Sequence, residues 1–307
     1  MENNKPLVGH ITALITILIW GLTFISTKIL LVDFSPIEIL FFRFILGFIA
    51  LLAVYPHRLK LTDMKQEWLF AASGLCGVTL YYLLQNFALT FSLASNIGVA
   101  VSVAPFFTAI LAHFFADKEE LKPSFFIGFI AAISGIILMS FSGGEGFEFH
   151  PLGDILAILA AAVWAVYSLI VKRISTFGYN QIATTRRTFF YGLVFMLPAL
   201  FLTDFRFGLS RFAEASNLLN ILFLGLAASA LCFVSWNYAV KILGAVKTSV
   251  YIYIVPVVTI ISSVLVLNEK ITLLSALGML LALFGLFISQ ANNIRIKKKA
   301  KDTLPEN

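Results

Sequence analysis

Two arginines stand inside long apolar runs, and their type and depth make them the first candidates for chemistry. Arg43 sits in the run 35–56, and Arg187 follows Arg186 in the run 181–203. A charge at the centre of a membrane helix costs ~2.5–3.5 kcal/mol on insertion scales, so it normally faces a cavity or a partner. The guanidinium fork suits a carboxylate or a phosphate. The competing reading is structural, with an ion pair or bonds to carbonyls of a neighbouring helix. Glu38 is an acid near Arg43, but five residues earlier it is poorly placed on the same helix face.

Aromatic and hydroxyl side chains form a second group. Trp20, Thr23 and Thr27 recur at i, i+3 and i+7, on one helical face. Trp164, Tyr167 and Ser168 repeat the pattern later in the chain. Cavity lining and ordinary helix packing both explain these positions. Tyr82 and Asn86 share the run 68–89 with Tyr81 and Gln85, and Trp236 adjoins Asn237 in the run 218–240. The two amides suit helix cross-linking or contact with a substrate. Pro105 and Pro256 each remove a backbone hydrogen bond in mid-run, which marks a fixed kink or a hinge beside a site. Tyr251, shortly before Pro256, could present its hydroxyl to a cavity. Lys28 is suited either to snorkelling toward headgroups or to drawing a solute to an outer mouth.

Several chemistries are missing. His10, His57, His113 and His150 are scattered, with no HExxH and no carboxylate cluster, so no metal site is expected. Cys76 and Cys232 give no CxxC pair and no disulfide framework. There is no Walker A sequence, and no cofactor is expected. No obvious carboxylate stands at the centre of an apolar run, which leaves proton coupling undecided. A membrane-embedded enzyme would need paired carboxylates, a metal cluster or a nucleophile with its base, and none is apparent.

The elements that must position these residues follow from composition. The chain has 307 residues, 60% hydrophobic and 12% charged, with 31 Phe. Soluble domains are nearer 45–50% apolar and about 25% charged, and a soluble chain of this kind would aggregate. Ten apolar segments fall at 7–32, 35–56, 68–89, 95–116, 124–142, 152–171, 181–203, 218–240, 248–267 and 272–290. Each has roughly the 20 residues that cross a hydrocarbon core. The expected class is therefore an all-α polytopic membrane protein with ten transmembrane helices. Placing both termini in the cytoplasm puts fifteen Lys and Arg in inner loops and tails, and leaves Arg206, Arg211 and Lys270 outside. The basic tail 291–307 then anchors at the inner face of the plasma membrane, near anionic lipid, and no nucleic-acid partner is expected.

The chain repeats itself. At an offset of 144, Trp20 falls on Trp164 and Arg43 on Arg187. At 151, Asn86 falls on Asn237 and Pro105 on Pro256. At 150, Glu119 falls on Glu269, Gly128 on Gly278 and Gly135 on Gly285. Two five-helix repeats, 7–142 and 152–290, follow. Five spans is an odd number, so the second copy enters the membrane inverted, as in many transporters.

On these residues the sequence resembles the drug/metabolite transporter superfamily, and within it the EamA-type ten-helix exporters. Trp20-Gly21, Arg43, Pro105, Glu119, Gly128 and Gly135 carry the resemblance in the first copy, with Trp164, Arg187, Pro256, Glu269, Gly278 and Gly285 in the second. The Glu after spans 4 and 9 usually follows Gly in that family, whereas here it follows Lys118 and Asn268. The resemblance implies that spans 5 and 10 lie peripherally while the other eight surround a central cavity. It implies a transporter of small polar metabolites, an exporter of amino acids or related compounds working by alternating access. The alternatives are a carrier or channel for a sugar, nucleotide sugar or drug-like cation, or a lipid-modifying enzyme. Expected partners are a small-molecule substrate and the lipid bilayer, and a homodimer is compatible with the sequence.

Overall fold

The computed structural model describes residues 5–115, 123–140, 151–203 and 205–302, and every regular element among them is helical. The first half comprises α1 (Lys5–Leu30), α2 (Pro36–Val54), α3 (Met64–Phe91), α4 (Ala94–Phe115) and α5 (Pro123–Ser140). The second comprises α6 (Pro151–Ser175), α7 (Gln181–Leu202), α8 (Ala215–Leu243), α9 (Ala245–Leu267) and α10 (Leu273–Asp302). Seven of these, α1–α4, α6, α8 and α9, are long and apolar enough to cross a membrane. The apolar stretches of α5 and α10 are shorter, and α7 carries Arg186 and Arg187. Helix α10 runs on past residue 290, because Arg295–Lys301 contains no Gly or Pro to stop it. Glu119, its neighbours Lys118 and Lys122, and His150 lie outside the described residues.

The outward faces are apolar. Leu14, Leu18 and Leu22 stand exposed in a stripe along α1, and Ile127 and Ile130 do so on α5, with Leu273, Leu277 and Leu280 on α10. Such surfaces are untenable in water and ordinary in lipid.

Reciprocal contacts relate the two halves. Gly9 abuts Ile242 and Leu243, while Gly153 abuts Phe91 and Ser92. Gly9 and Gly153 are repeat mates, and so are Leu243 and Ser92. A contact between i and j′ matched by one between i′ and j is the mark of a two-fold relation. The same relation governs α5 and α10, which pack against each other. A Cβ built on Gly135 would lie 2.5 Å from Ala282 N and Gly278 O, and one on Gly285 would lie 2.5 Å from Ala132 N and Gly128 O. Only glycine lets these backbones approach so closely.

Four helices are interrupted at matching depths. α3 contains a π-helical turn at Leu75–Leu80, and α8 one at Phe223–Leu231. α4 breaks at Ser102–Val103, just before Pro105, where the Ser102 hydroxyl donates to Val99 O at 2.5 Å. α9 tightens to a 3₁₀ turn at Val250–Ile254, just before Pro256. Proline supplies no N–H, so the residue four back loses its helical donor. π-turns and broken helices are where membrane carriers place their sites.

Candidate functional site

Three of the interrupted helices, α3, α4 and α9, share one small cavity with α1 and α6. From α1 it takes Ile17, Trp20, Thr23 and Phe24, and from α3 it takes Tyr81, Tyr82 and Gln85. Val101, Trp164, Ile252 and Val255 complete the wall from α4, α6 and α9. Val101 and Ile252 are the residues four before Pro105 and Pro256, so neither carbonyl has an α-helical donor, and that of Ile252 accepts the Val255 N–H in the 3₁₀ turn instead. The space is about 390 Å³ counting its open mouth, but so finely divided that about one ordered water fits.

The walls are aromatic. Trp20 meets Trp164 edge to face at 5.1 Å, and Tyr81 lies 4.8 Å from Trp164. Phe44 meets Phe189 edge to face at 4.9 Å, and Tyr82 lies 6.2 Å from Phe233. Each of the pairs Trp20–Trp164, Phe44–Phe189 and Tyr82–Phe233 joins positions related by the repeat. The pseudo-two-fold axis therefore runs through this cluster.

Of the positions named from the sequence, Trp20, Thr23, Tyr81, Tyr82, Gln85 and Trp164 line the cavity. The Trp20 indole donates to Ala228 O at 2.9 Å, in the π-turn of α8. The Thr23 hydroxyl is turned to Trp20 O. Trp236 is fully buried behind them, 5.1 Å from Trp20. Tyr167 and Asn237 are fastened to each other: the Tyr167 hydroxyl donates to Asn237 Oδ1 at 2.9 Å, and Asn237 Nδ2 donates to Thr185. Asn86 donates to Pro36 O at 3.1 Å, tying α3 to the start of α2. These two amides cross-link helices. Tyr251 sits apart from the cavity, its hydroxyl 2.6 Å from His10 Nδ1. Pro105 is buried in α4 and Pro256 in α9, one beyond the Val255 wall.

The two arginines part company. Arg43 is fully buried, with Cζ 4.3 Å from the centre of the Tyr82 ring. Its Nε donates to Ser229 Oγ at 3.0 Å, while Nη1 and Nη2 have no partner. Glu38 does not serve it. That carboxylate closes a capping box with Ser35 and pairs with Arg211 at 2.9 Å. Arg187 lies away from the cavity, partly exposed. It grips Glu67 at 2.8 and 2.5 Å and donates to Leu59 O. Tyr191 also donates to Glu67, and neighbouring Arg186 donates to the carbonyls of Tyr55 and His57 at the end of α2. The reason is register. The helix caps Ser35 and Asn180, like the paired rings Phe44 and Phe189, stand 145 apart, not 144. The structural mate of Arg43 is thus Thr188, and one residue is a turn of about 100° around a helix.

Charged side chains tie the helix ends outside the cavity. Lys28 donates to Leu89 O at 2.6 Å and Ser92 O at 2.9 Å, joining α1 to the last turn of α3. Glu269 accepts from Ala94 N, Ser95 N and Ser95 Oγ, which places an anion on the N-terminus of α4. Lys172, the repeat mate of Lys28, makes no such bond. Among the described residues there is no group of three or more His, Cys, Asp or Glu able to hold a metal ion. The apolar wall residues Ile17, Phe24, Val101, Ile252 and Val255 carried no sequence signal beyond their spacing from Trp20 and the two prolines.

Residues 7–141 and 151–290 each match the EamA-like transporter family. An uncharacterized transporter of Archaeoglobus fulgidus is 29% identical over 286 residues, covering 92% of this chain and 97% of its own. A probable terminal-alkyne amino-acid exporter of Streptantibioticus cattleyicolor is 25% identical, covering 93% and 94%. A solved crystal structure superposes with a TM-score of 0.65 at 19% identity, over 96% of this chain and 99% of that one, a likeness of fold.

Proposed function

The chain belongs to the EamA-like transporter family, and from that premise we propose that it carries a small polar metabolite, as an exporter of amino acids or related compounds. The observation that carries this reading is the contracted cavity beside the pseudo-two-fold axis, walled by α1, α3, α4, α6 and α9, of which α3, α4 and α9 are interrupted. A site with room for about one water admits a metabolite only if the halves rock apart. Two halves related by a two-fold can rock either way, and each motion opens the same site to one side. The amino-acid class draws support from the Streptantibioticus relative, whose name is that of an amino-acid exporter.

The ten helices α1–α10 are taken as ten crossings of the plasma membrane, with both termini cytoplasmic. Support comes from the excess of Lys and Arg in the loops this places inside. A C-terminal alkaline phosphatase fusion should be inactive, and an active one would reverse the orientation. The function is tested with purified protein in liposomes loaded with labelled amino acids. Saturable counterflow of at least one is expected. Flux that rises without saturation would indicate a channel, and no flux of any metabolite would remove the transport reading.

A further inference from the structure

We propose that the central cavity is an anion-accepting site, in which Gln85 and Trp164 receive a substrate carboxylate within the field of Arg43. The proposal rests on the reading of this cavity as the transport site. The buried, unpartnered polar atoms on its walls are donors, namely Gln85 Nε2 and Trp164 Nε1. Gln85 is 1% exposed and Trp164 3%. Behind the wall, Trp236 Nε1 and both terminal nitrogens of Arg43 are unpartnered as well. The unpartnered acceptors, Asn86 Oδ1 and Asn96 Oδ1, and the unpartnered hydroxyls of Thr16 and Thr27, which can donate or accept, belong to side chains that do not line the cavity. A buried donor without an acceptor costs free energy, and here several are gathered around one space.

Charge points the same way. No Asp or Glu lines the cavity, and no carboxylate bonds to Arg43 among the described residues. The guanidinium lies over the ring of Tyr82, 4.3 Å from its centre, and Tyr82 is itself a wall of the cavity. In surroundings of low dielectric that charge reaches across a ring with little screening. An aromatic cage can also hold an ammonium by cation–π attraction. Here the Tyr82 ring already carries the guanidinium, and a second cation beside it would be repelled. Trp20 and Trp164 show the asymmetry most directly. They are repeat mates, yet the Trp20 N–H is engaged by Ala228 O while the Trp164 N–H is left for a ligand. The remaining walls, Trp20, Tyr81 and Phe24, suit an apolar or aromatic body attached to the carboxylate.

Three probes with one body and different ends test this: 3-phenylpropionate, 3-phenylpropionamide and phenethylamine. Binding to the purified full chain is followed by tryptophan fluorescence and by the shift in melting temperature. The carboxylate should bind at least about tenfold more tightly than the amide or the amine. Trp164→Phe keeps the ring and removes the N–H. It should weaken the carboxylate by about tenfold and leave the amide unchanged. Gln85→Glu keeps the shape and adds a negative charge, and it should reverse the order in favour of the amine. If Gln85→Glu does not fold, Trp164→Phe alone decides. Equal binding of the three probes, tighter binding of the amine to the unmodified chain, or no binding of the carboxylate at millimolar concentration would each overturn the proposal. Saturable flux without preference for carboxylates also overturns it and leaves transport standing. Carboxylate-selective binding without any flux removes the transport reading and leaves the anion site.

Discussion

Adding a single methyl group at Gly135 should destabilise the fold, and at Gly285 it should do so equally. The Cβ of Gly135→Ala would lie 2.5 Å from Ala282 N and Gly278 O, and that of Gly285→Ala 2.5 Å from Ala132 N and Gly128 O. Ordinary carbon contacts need about 3.5–4 Å, so α5 and α10 must part by about 1 Å. A gap of that size forfeits a quarter to a half of each contact along the seam. Overpacking of this kind typically costs about 1–3 kcal/mol. Each kcal/mol moves the melting temperature by about 2–4 °C in a domain of roughly 200 residues. Both variants should therefore melt some degrees lower in detergent, by similar amounts. The double variant should cost less than the sum, because one parting of the same two helices relieves both clashes. Flux per folded molecule should be unchanged, since the seam lies off the cavity. A neutral Gly135→Ala beside a costly Gly285→Ala, or strictly additive costs, would refute the symmetric crossing.

The remaining predictions concern the ties and the kink. Lys28→Met should loosen α1 from the end of α3, and with Cys76 and Cys232 replaced by Ala, a cysteine introduced by Gln85→Cys should then react faster with an impermeant maleimide added outside; an unchanged rate would show that Lys28 restrains nothing. A double-mutant cycle on Arg187→Ala and Glu67→Ala should give a coupling of about 0.5–1 kcal/mol, as for a partly exposed pair, with transport per folded molecule intact; loss of substrate binding in Arg187→Ala alone would move Arg187 back to the site. Pro256→Ala should restore a helical N–H at a broken point of α9, so the protein folds and transports more slowly, and unaltered flux would make Pro256 a packing kink only.

What could be read before the structure was the part governed by period and by rare residues. Trp20 and Trp164 announced the axis because two tryptophans in register are seldom accidental. Pro105 and Pro256 announced the broken helices because proline has no N–H to give. Arg187 was placed with Arg43 by an offset that counted matches rather than turns. The caps Ser35 and Asn180 correct it, and both residue types are N-cap formers visible in the sequence. The π-turns in α3 and α8 left no comparable mark, since Gly, Ala, Ser and Leu serve an α-helix and a π-turn alike. The wall made by Val101 and Ile252 was hidden for another reason: the sequence does not say which face of an apolar helix meets a cavity and which meets lipid.

An axis that passes beside a cavity raises a question of head and tail for any cargo the cavity would take. Were the halves identical, any cargo without a two-fold of its own would fit equally well end for end, and the site would hold a mixture of opposite poses. The exchanges across this axis remove the degeneracy. Tyr82 stands opposite Phe233, so a hydroxyl is present on one side only. Gln85 is matched at the repeat offset by Trp236, and Thr23 by Tyr167 on the 144 spacing. Because both halves lie in one chain, each side can differ independently, whereas a pair of identical chains must change both sides together. If the cavity is the transport site, its lopsided lining gives it a head and a tail, and a cargo without a two-fold of its own should sit in it in one orientation.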